Sequence, residues 1–364
     1  MDRGVEVKVK TITIHDPDVN YGSTLQACAT YNFIKGLGYD VEIINYRPNY
    51  KSLKQRFKKA LTNALFMKEY KTRRKKIEGY FEAHAKLTDV YHNLEDLKSN
   101  PPVADVFITG SDVIWNRDVN SEGADVAFYL GFVTSGYKMS YAPSMGEIQS
   151  KENVSFIVSQ IKDFRFISVR EEESKRQLAE AGLKDAVCVT DPVFLMPRSY
   201  YEEQIVENKH GEYILVYLMS FTDQKRQKVA ELAGKLGGKV IGLGGFKQKC
   251  DCDTYIRDAG VEDFLSLIYH AKYIITDSFH CIAFSLMFEK QFAYFPSIDS
   301  NMRIDNILSY VDLQNRVVKA DDSRFNVLNS IYYSDVTPKL QEKVEYSRDY
   351  FRVALSDINN ELNR

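Results

Sequence analysis

From residue 6 onward the chain alternates short β-branched, apolar runs with stretches of helical period, and after a proline-containing break it does so again. "EVKVKTITI" leads through a loop into "TLQACATYNFIKGL" and then "DVEIINY". "ADVFIT", "KMSYAP", "FRFISV", "EEESKRQLAEAGL" and "AVCVT" follow. After "DPVFLMPRSYY" the order restarts with "YILVYLM", "DQKRQKVAELAGKLG", "KVIGLG", "VEDFLSLIYHA", "KYIIT", a helix from Cys281 and "QFAYFP". Strand, helix, strand in repetition is the pattern of parallel sheets with right-handed crossovers. A chain of 364 residues is also long for one core, because single cores stop growing near roughly 250–300 residues. The reading is α/β: two doubly wound, Rossmann-like domains facing a cleft. The boundaries predicted are 1–195 and 205–335, with a C-terminal helix over 338–364 crossing back onto the first domain. The break at 191–201 reads as the linker.

Composition removes several function classes. Apolar residues make up 44% and charged residues 27%, and no apolar run approaches the ~20 residues that span a bilayer. Residues 1–14 alternate and carry acids early, unlike a signal peptide, so a cytoplasmic location is expected. Five scattered cysteines give no disulfide framework, and the "CDC" at 250–252 lacks the two-residue spacer of a zinc knuckle, which leaves ordinary reduced thiols. His15, His84, His92, His210 and His270 show no ligand spacing, and no metal is expected. Residues 51–76 hold eleven Lys or Arg against Glu69, a net +10 on a chain whose remainder sums to −12. Leu53, Phe57, Leu61, Ala64 and Leu65 give its first part an apolar helical face. Such a stretch either lies peripherally on an anionic membrane at the inner face or is a solvated helix packed on the first domain. The acidic remainder argues against nucleic acid.

In doubly wound domains ligands sit beyond the carboxyl ends of the strands. "TGSDVIWN" (109–116) offers Gly110 for a tight turn, Ser111 and Asp112 at a helix start, and the only tryptophan, Trp115. "SYAPSMG" (140–146) has small residues whose backbone could approach an anion. "SVREEES" (168–174) puts Arg170 at a strand end, where three glutamates make a local capping cluster the plain alternative. "GLGG" (242–245) reads as a tight turn. "TDSFHCIAFSL" (276–286) places His280 at a helix start behind a strand, with Asp277 or Ser278 as N-cap.

In combination, "NYGSTLQACATYNFIKGLGYDVEIINYRP", "TGSDVIWN", "SYAPSMG", "SVREEES", "TDPVFL", "TDSFHCIAFSLMFEK" and "NMRIDNIL" resemble the polysaccharide pyruvyl transferase family over about residues 18–310. The resemblance implies a fold similar to GT-B glycosyltransferases, phosphoenolpyruvate as donor substrate with no other cofactor, and a sugar with two hydroxyls as acceptor, carried on a lipid-linked oligosaccharide precursor. The products implied are a pyruvate ketal and phosphate. Matched to the family pattern, Arg170, His280 and Arg303 hold the donor, with Ser278 beside them. Val113 stands where glutamine is common and Cys281 where glycine is common. As an imidazolium His280 could bond the phosphate and give a proton to C3 of the donor or to the leaving phosphate. Asp112 or Asp277 would be the base, and Asn20, Tyr21, Asp112 and Trp115 acceptor contacts, with His15 and Asp16 near them in the first strand-end loop. A nucleotide-sugar glycosyltransferase on the same fold and a non-catalytic glycan-binding protein are the two rival readings.

Overall fold

The structure, a computed structural model, describes residues 7–15, 20–48, 66–116, 123–220, 222–245, 248, 250–296, 302–319 and 325–364. Its strands in chain order are β1 Lys8–Ile12, β2 Asp40–Tyr46, β3 Leu87–Tyr91, β4 Val106–Thr109, β5 Tyr137–Ser140, β6 Ser168–Val169, β7 Val187–Cys188, β8 Tyr213–Tyr217, β9 Lys239–Leu243, β10 Thr254–Ile256, β11 Tyr273–Thr276 and β12 Gln291–Tyr294. The helices are α1 Tyr21–Gly36, α2 Met67–His84, α3 Leu94–Ser99, α4 Lys151–Ile161, α5 Glu172–Glu180, α6 Arg198–Glu202, α7 Asp223–Leu236, α8 Val261–His270, α9 Phe279–Met287, α10 Met302–Tyr310 and α11 Tyr333–Leu362.

The chain divides into two compact units, Met1–Ser52 with Phe81–Met196 and Gln341–Arg364, and Leu53–Tyr80 with Pro197–Leu340. Each has a fully parallel five-stranded sheet, in the orders β3-β2-β1-β4-β5 and β10-β9-β8-β11-β12. In both, the chain starts in the centre, winds one way for two strands and then returns to wind the other way. The order therefore reverses beside the first strand: between β1 and β4 in the first unit, and between β8 and β11 in the second. Loops diverge from the sheet at those two points, and doubly wound sheets take ligands there. Helices cover both faces, so β4, β8 and β11 are buried at every residue, which is why they read as unbroken apolar runs.

The first core runs from Ile12, Ile44 and Phe107 through Trp115, Phe128 and Tyr129 to Ile157 and Val169. The second gathers Ile214, Val216, Leu232, Ile275, Ala293 and Phe295. The short pair β6–β7 continues beyond β5 through a parallel bridge between Met139 and Phe166. The residues after β6 and β7 thus come out on the same strand-end edge as those after β4.

Three boundaries differ from the sequence reading. Residues 191–195, read as linker, form a helical turn at Pro192–Phe194 with Val193, Phe194 and Leu195 buried, and the division falls at Met196/Pro197. The described part of the basic segment groups through residue 80 with the second unit: Lys76 bonds Asp263 at 2.7 Å, Tyr80 donates to Gln204 at 2.8 Å, and Gly260 leaves room for the Lys76 stem. Residues 51–65, including the apolar face of the expected amphipathic helix, lie outside the described residues. Finally, α11 begins at Tyr333, before residue 338. From residue 341 it groups with the first unit, where Ser347 accepts from Thr190 N (2.9 Å) and Arg348 donates to Leu195 O (2.9 Å). No helix among the described residues is long and apolar enough to cross a membrane.

Candidate active site

In the first unit, the reversal point between β1 and β4 is occupied by a closed hydrogen-bond ring. Thr13 Oγ1 donates to Ser111 O (2.8 Å), Gln26 Nε2 to Thr13 Oγ1 (2.9 Å), Ser111 N to Gln26 Oε1 (3.2 Å), and Ser111 Oγ to Ala142 O (2.8 Å). Gln26 escaped the sequence reading because its partners Thr13 and Ser111 lie 13 and 85 residues away in the chain. Gly110 is required here by close approach: at φ +119°, a Cβ would stand 2.1 Å from Tyr141 O. Asn20 caps α1 by accepting from Gly22 N (3.0 Å). His15 is buried, with Nδ1 3.0 Å from Thr13 O and Nε2 3.2 Å from Asn45 Oδ1. Asp16 lies outside the described residues.

Two expected acceptor contacts are core residues instead. Trp115 is fully buried, stacked on Tyr129 at 5.9 Å, and its Nε1 donates to Phe128 O (3.2 Å). Its faces are therefore engaged in packing. Tyr21 is equally buried at the start of α1. Nor does 111–116 start a helix. It is an irregular loop in which Asp112, at φ +75°, bonds its own carboxylate to Val113 N (2.8 Å) while its carbonyl accepts from Ser144 N (2.8 Å). The small residues of 140–146 do not present an anion cradle, since Ala142 N, Ser144 N and Gly146 N all have acceptors within the loop cluster.

Arg170, leaving β6, is only 3% exposed and faces three carboxylates. Its NH1 pairs with Asp191, NH2 lies 3.7 Å from Asp112, and Nε lies 3.8 Å from Glu171. Burial opposes its charge, but Asp191, Asp112 and Glu171 together hold the guanidinium above its ordinary range. The guanidinium expected to hold the donor is thus already paired with a protein carboxylate, Asp191, inside the first unit.

The second unit concentrates the donor-type groups at its own reversal point. Thr276, ending β11, donates to Tyr217 O (2.7 Å) at the end of β8 and accepts from Ser278 N (3.0 Å). Ser278, not Asp277, caps α9 by accepting from Cys281 N (3.4 Å). Asp277 instead reaches across to the β8 loop. It accepts from Ser220 N (2.8 Å), Ser220 Oγ (2.7 Å) and Lys225 Nζ (2.6 Å), and also from Met219 N. That set leaves Asp277 little capacity as a base. Burial lowers the Lys225 ammonium and the Asp277 carboxylate opposes the shift. Lys225 was missed, although a lysine in the first turn of a helix works against the dipole and is itself a signal.

His280 is the second residue of α9, 4% exposed, edge-on to Phe279. Arg303, the second residue of α10, is half-buried. The Tyr294 hydroxyl at the end of β12 is pushed up by burial first and then by Asp305 and Asp277, with Arg303 opposing. Cys281 is fully buried, its thiol pushed up to about 12 by burial, and it packs inside the unit. A separate cavity of about 310 Å³ opens at the amino end of β8, lined by Lys76, Tyr213, Asp263 and His270 among others. No group of three or more His, Cys, Asp or Glu among the described residues could hold a metal ion.

A model of a family described as polysaccharide pyruvyl transferase matches residues 20–300. A search of the curated proteins found no match. Among solved structures, a UDP-N-acetylglucosamine 2-epimerase from Rickettsia bellii superposes with a TM-score of 0.58 at 11% identity, over 98% of this chain and 98% of that one. A candidate UDP-N-acetylglucosamine 2-epimerase from Listeria monocytogenes gives 0.54 at 9%, over 96% and 91%. An α-glucosyltransferase solved with UDP-glucose and DNA containing an abasic site gives 0.50 at 8%, over 98% and 94%. At these identities the likeness speaks for fold alone: two Rossmann-like α/β units of the GT-B kind.

Proposed function

Because the chain belongs to the polysaccharide pyruvyl transferase family, we propose that it moves the pyruvyl group of phosphoenolpyruvate onto two hydroxyls of a sugar in a surface-polysaccharide precursor. The observation that carries this reading is the strand-end group of the second unit, where His280 and the cap Ser278 stand at the N-terminus of α9, with Arg303 in the first turn of α10 in the same unit. A helix N-terminus with an imidazole and a guanidinium suits a ligand that bears a carboxylate and a phosphate. In the reaction proposed, a proton from His280 goes to C3 of the donor and C2 becomes cationic. One sugar hydroxyl adds to C2, phosphate leaves with its bridging oxygen, and the second hydroxyl closes the ketal. The two hydroxyl protons end on C3, by way of His280, and on phosphate. Asn20 and Asp112 on the first unit are the acceptor contacts retained from the sequence reading. Incubation with phosphoenolpyruvate and a panel of glycan acceptors should release phosphate in step with a pyruvyl mass increase on one acceptor. Nucleotide release from a sugar nucleotide, or tight glycan binding without turnover, would overturn the reading.

A lipid-linked acceptor would bring the protein to an anionic membrane face, and the described end of the basic segment suits such a surface. Lys68, Lys71 and Lys75 of α2 are all exposed. At about 1 kcal/mol for each near-surface cation, changing all three to Gln should cut partition onto phosphatidylserine vesicles on the order of 100-fold at low salt. Turnover of a short soluble acceptor should be spared. Equal sedimentation of variant and parent would remove the membrane from the proposal.

A further inference from the structure

The "CDC" motif at 250–252 fits no zinc knuckle, and its fold context gives it a different character. Cys250 is buried (2% exposed) and Cys252 is partly exposed, and both thiols are reduced. They converge on one backbone point. A Cβ built on Gly242 in β9 would stand 2.8 Å from Cys250 Sγ and 3.0 Å from Cys252 Sγ, so only glycine leaves room for the two sulfurs together. Burial first, and then Cys252 through charge and a side-chain hydrogen bond, pushes the Cys250 thiol up. The bend is anchored around the pair. Arg226 of α7 pairs with Asp251 between them, and Gln248 Nε2 bonds Cys250 O at 2.9 Å and lies 3.6 Å from Cys252 Sγ. The two sulfurs are therefore held side by side, and Cys252 is the one that a reagent in solution can reach.

We propose that Cys250 and Cys252 form a reversible dithiol–disulfide pair whose reaction partner is a small-molecule disulfide such as glutathione disulfide. The order of steps follows from exposure. Cys252, the reachable sulfur, attacks one sulfur of glutathione disulfide as the thiolate. The external S–S bond breaks, and one glutathione leaves as thiolate and takes up the proton that Cys252 lost. Cys250, protected from the bulky oxidant, then loses its proton and attacks the Cys252 sulfur of the mixed disulfide. The Cys250–Cys252 bond forms and the second glutathione leaves with that proton. The protein loses two electrons and two protons, and glutathione disulfide gains both. The pair lies at β9, next to β8 in the sheet, and its anchor Arg226 is the neighbour of Lys225, which bonds Asp277. Closing the pair would therefore tighten the bend beside the strand-end group of the same unit.

The test uses the full-length protein under native conditions. It is incubated with glutathione disulfide, quenched with iodoacetamide and digested for mass analysis. The peptide carrying residues 250–252 should lose alkylation at both sulfurs together and become lighter by two hydrogens, with no glutathione attached, and dithiothreitol should restore both alkylation sites. Cys250→Ser should trap glutathione on Cys252, while Cys252→Ser should leave Cys250 almost unmodified. Circular dichroism and the chromatographic profile confirm that both variants are folded, and the parent protein alone decides the matter if either is not. Full alkylation of both sulfurs after oxidation, or a stable glutathione adduct on the parent in place of the internal bond, would overturn the proposal.

Discussion

Replacing His280 with Gln is expected to lower phosphate release from phosphoenolpyruvate by about 10²- to 10⁴-fold, the usual range for a positioned general acid, while donor binding falls far less. Glutamine keeps a hydrogen-bond donor near the place of the imidazole but has no proton that titrates. The position suits the dual role, since His280 stands in the first turn of α9, where backbone N–H groups and the positive end of the helix dipole favour an anion. The loss should therefore appear in kcat more than in KM, the signature of an interaction made in the transition state. Adjacent groups should not replace it: Cys281 is buried with its thiol held protonated, and Asp277 is occupied by Ser220 and Lys225. A variant with near-parental kcat would reduce His280 to packing or binding, and donor affinity lost in proportion to turnover would make it a binding residue alone.

The parts of this fold that were legible share a physical cause. Parallel strands buried on both faces must be apolar throughout, so β4, β8 and β11 stand out as runs, and doubly wound topology follows from their alternation with helices. His280 was legible too, because strand, cap and helix are consecutive in the chain. What stayed hidden depends on distant partners. For Arg170 the sequence offered a donor contact or a cluster with the glutamates beside it, and not Asp191, 21 residues on, or Asp112, which come to it only in the folded sheet. The allegiance of the basic helix rests on Lys76 and Asp263, 187 residues apart. Trp115 had the composition of a sugar platform and the burial of a core residue, and nothing local separates the two. Likewise "GLGG" has the look of a turn, yet Gly242 and Leu243 are in β9, and the first glycine answers to Tyr255, Cys250 and Cys252.

Arg170→Leu is expected to destabilise the protein by about 3–5 kcal/mol, the cost of breaking a buried ion pair from one side. The guanidinium pairs with Asp191 and lies near Asp112 and Glu171, which are 1%, 8% and 1% exposed. Leucine restores volume and no charge, so Asp191 would lose the buried guanidinium it pairs with. The pH dependence separates this from a donor contact. In the variant the orphaned carboxylates hold protons more tightly in the folded state than in the unfolded chain, so unfolding releases protons and stability rises as pH falls. The gap between variant and parent in urea midpoint should therefore shrink on acidification. Adding Asp191→Asn to Arg170→Leu should recover part of the loss, since the second change removes one of the stranded charges. A donor contact predicts the opposite pattern: a variant as stable as its parent at every pH, no rescue by Asp191→Asn, and a loss confined to affinity for phosphoenolpyruvate. That outcome would return Arg170 to the donor site. The expected one makes it the residue that holds the Asp112 loop and the Asp191 turn in register at the carboxyl end of the first sheet.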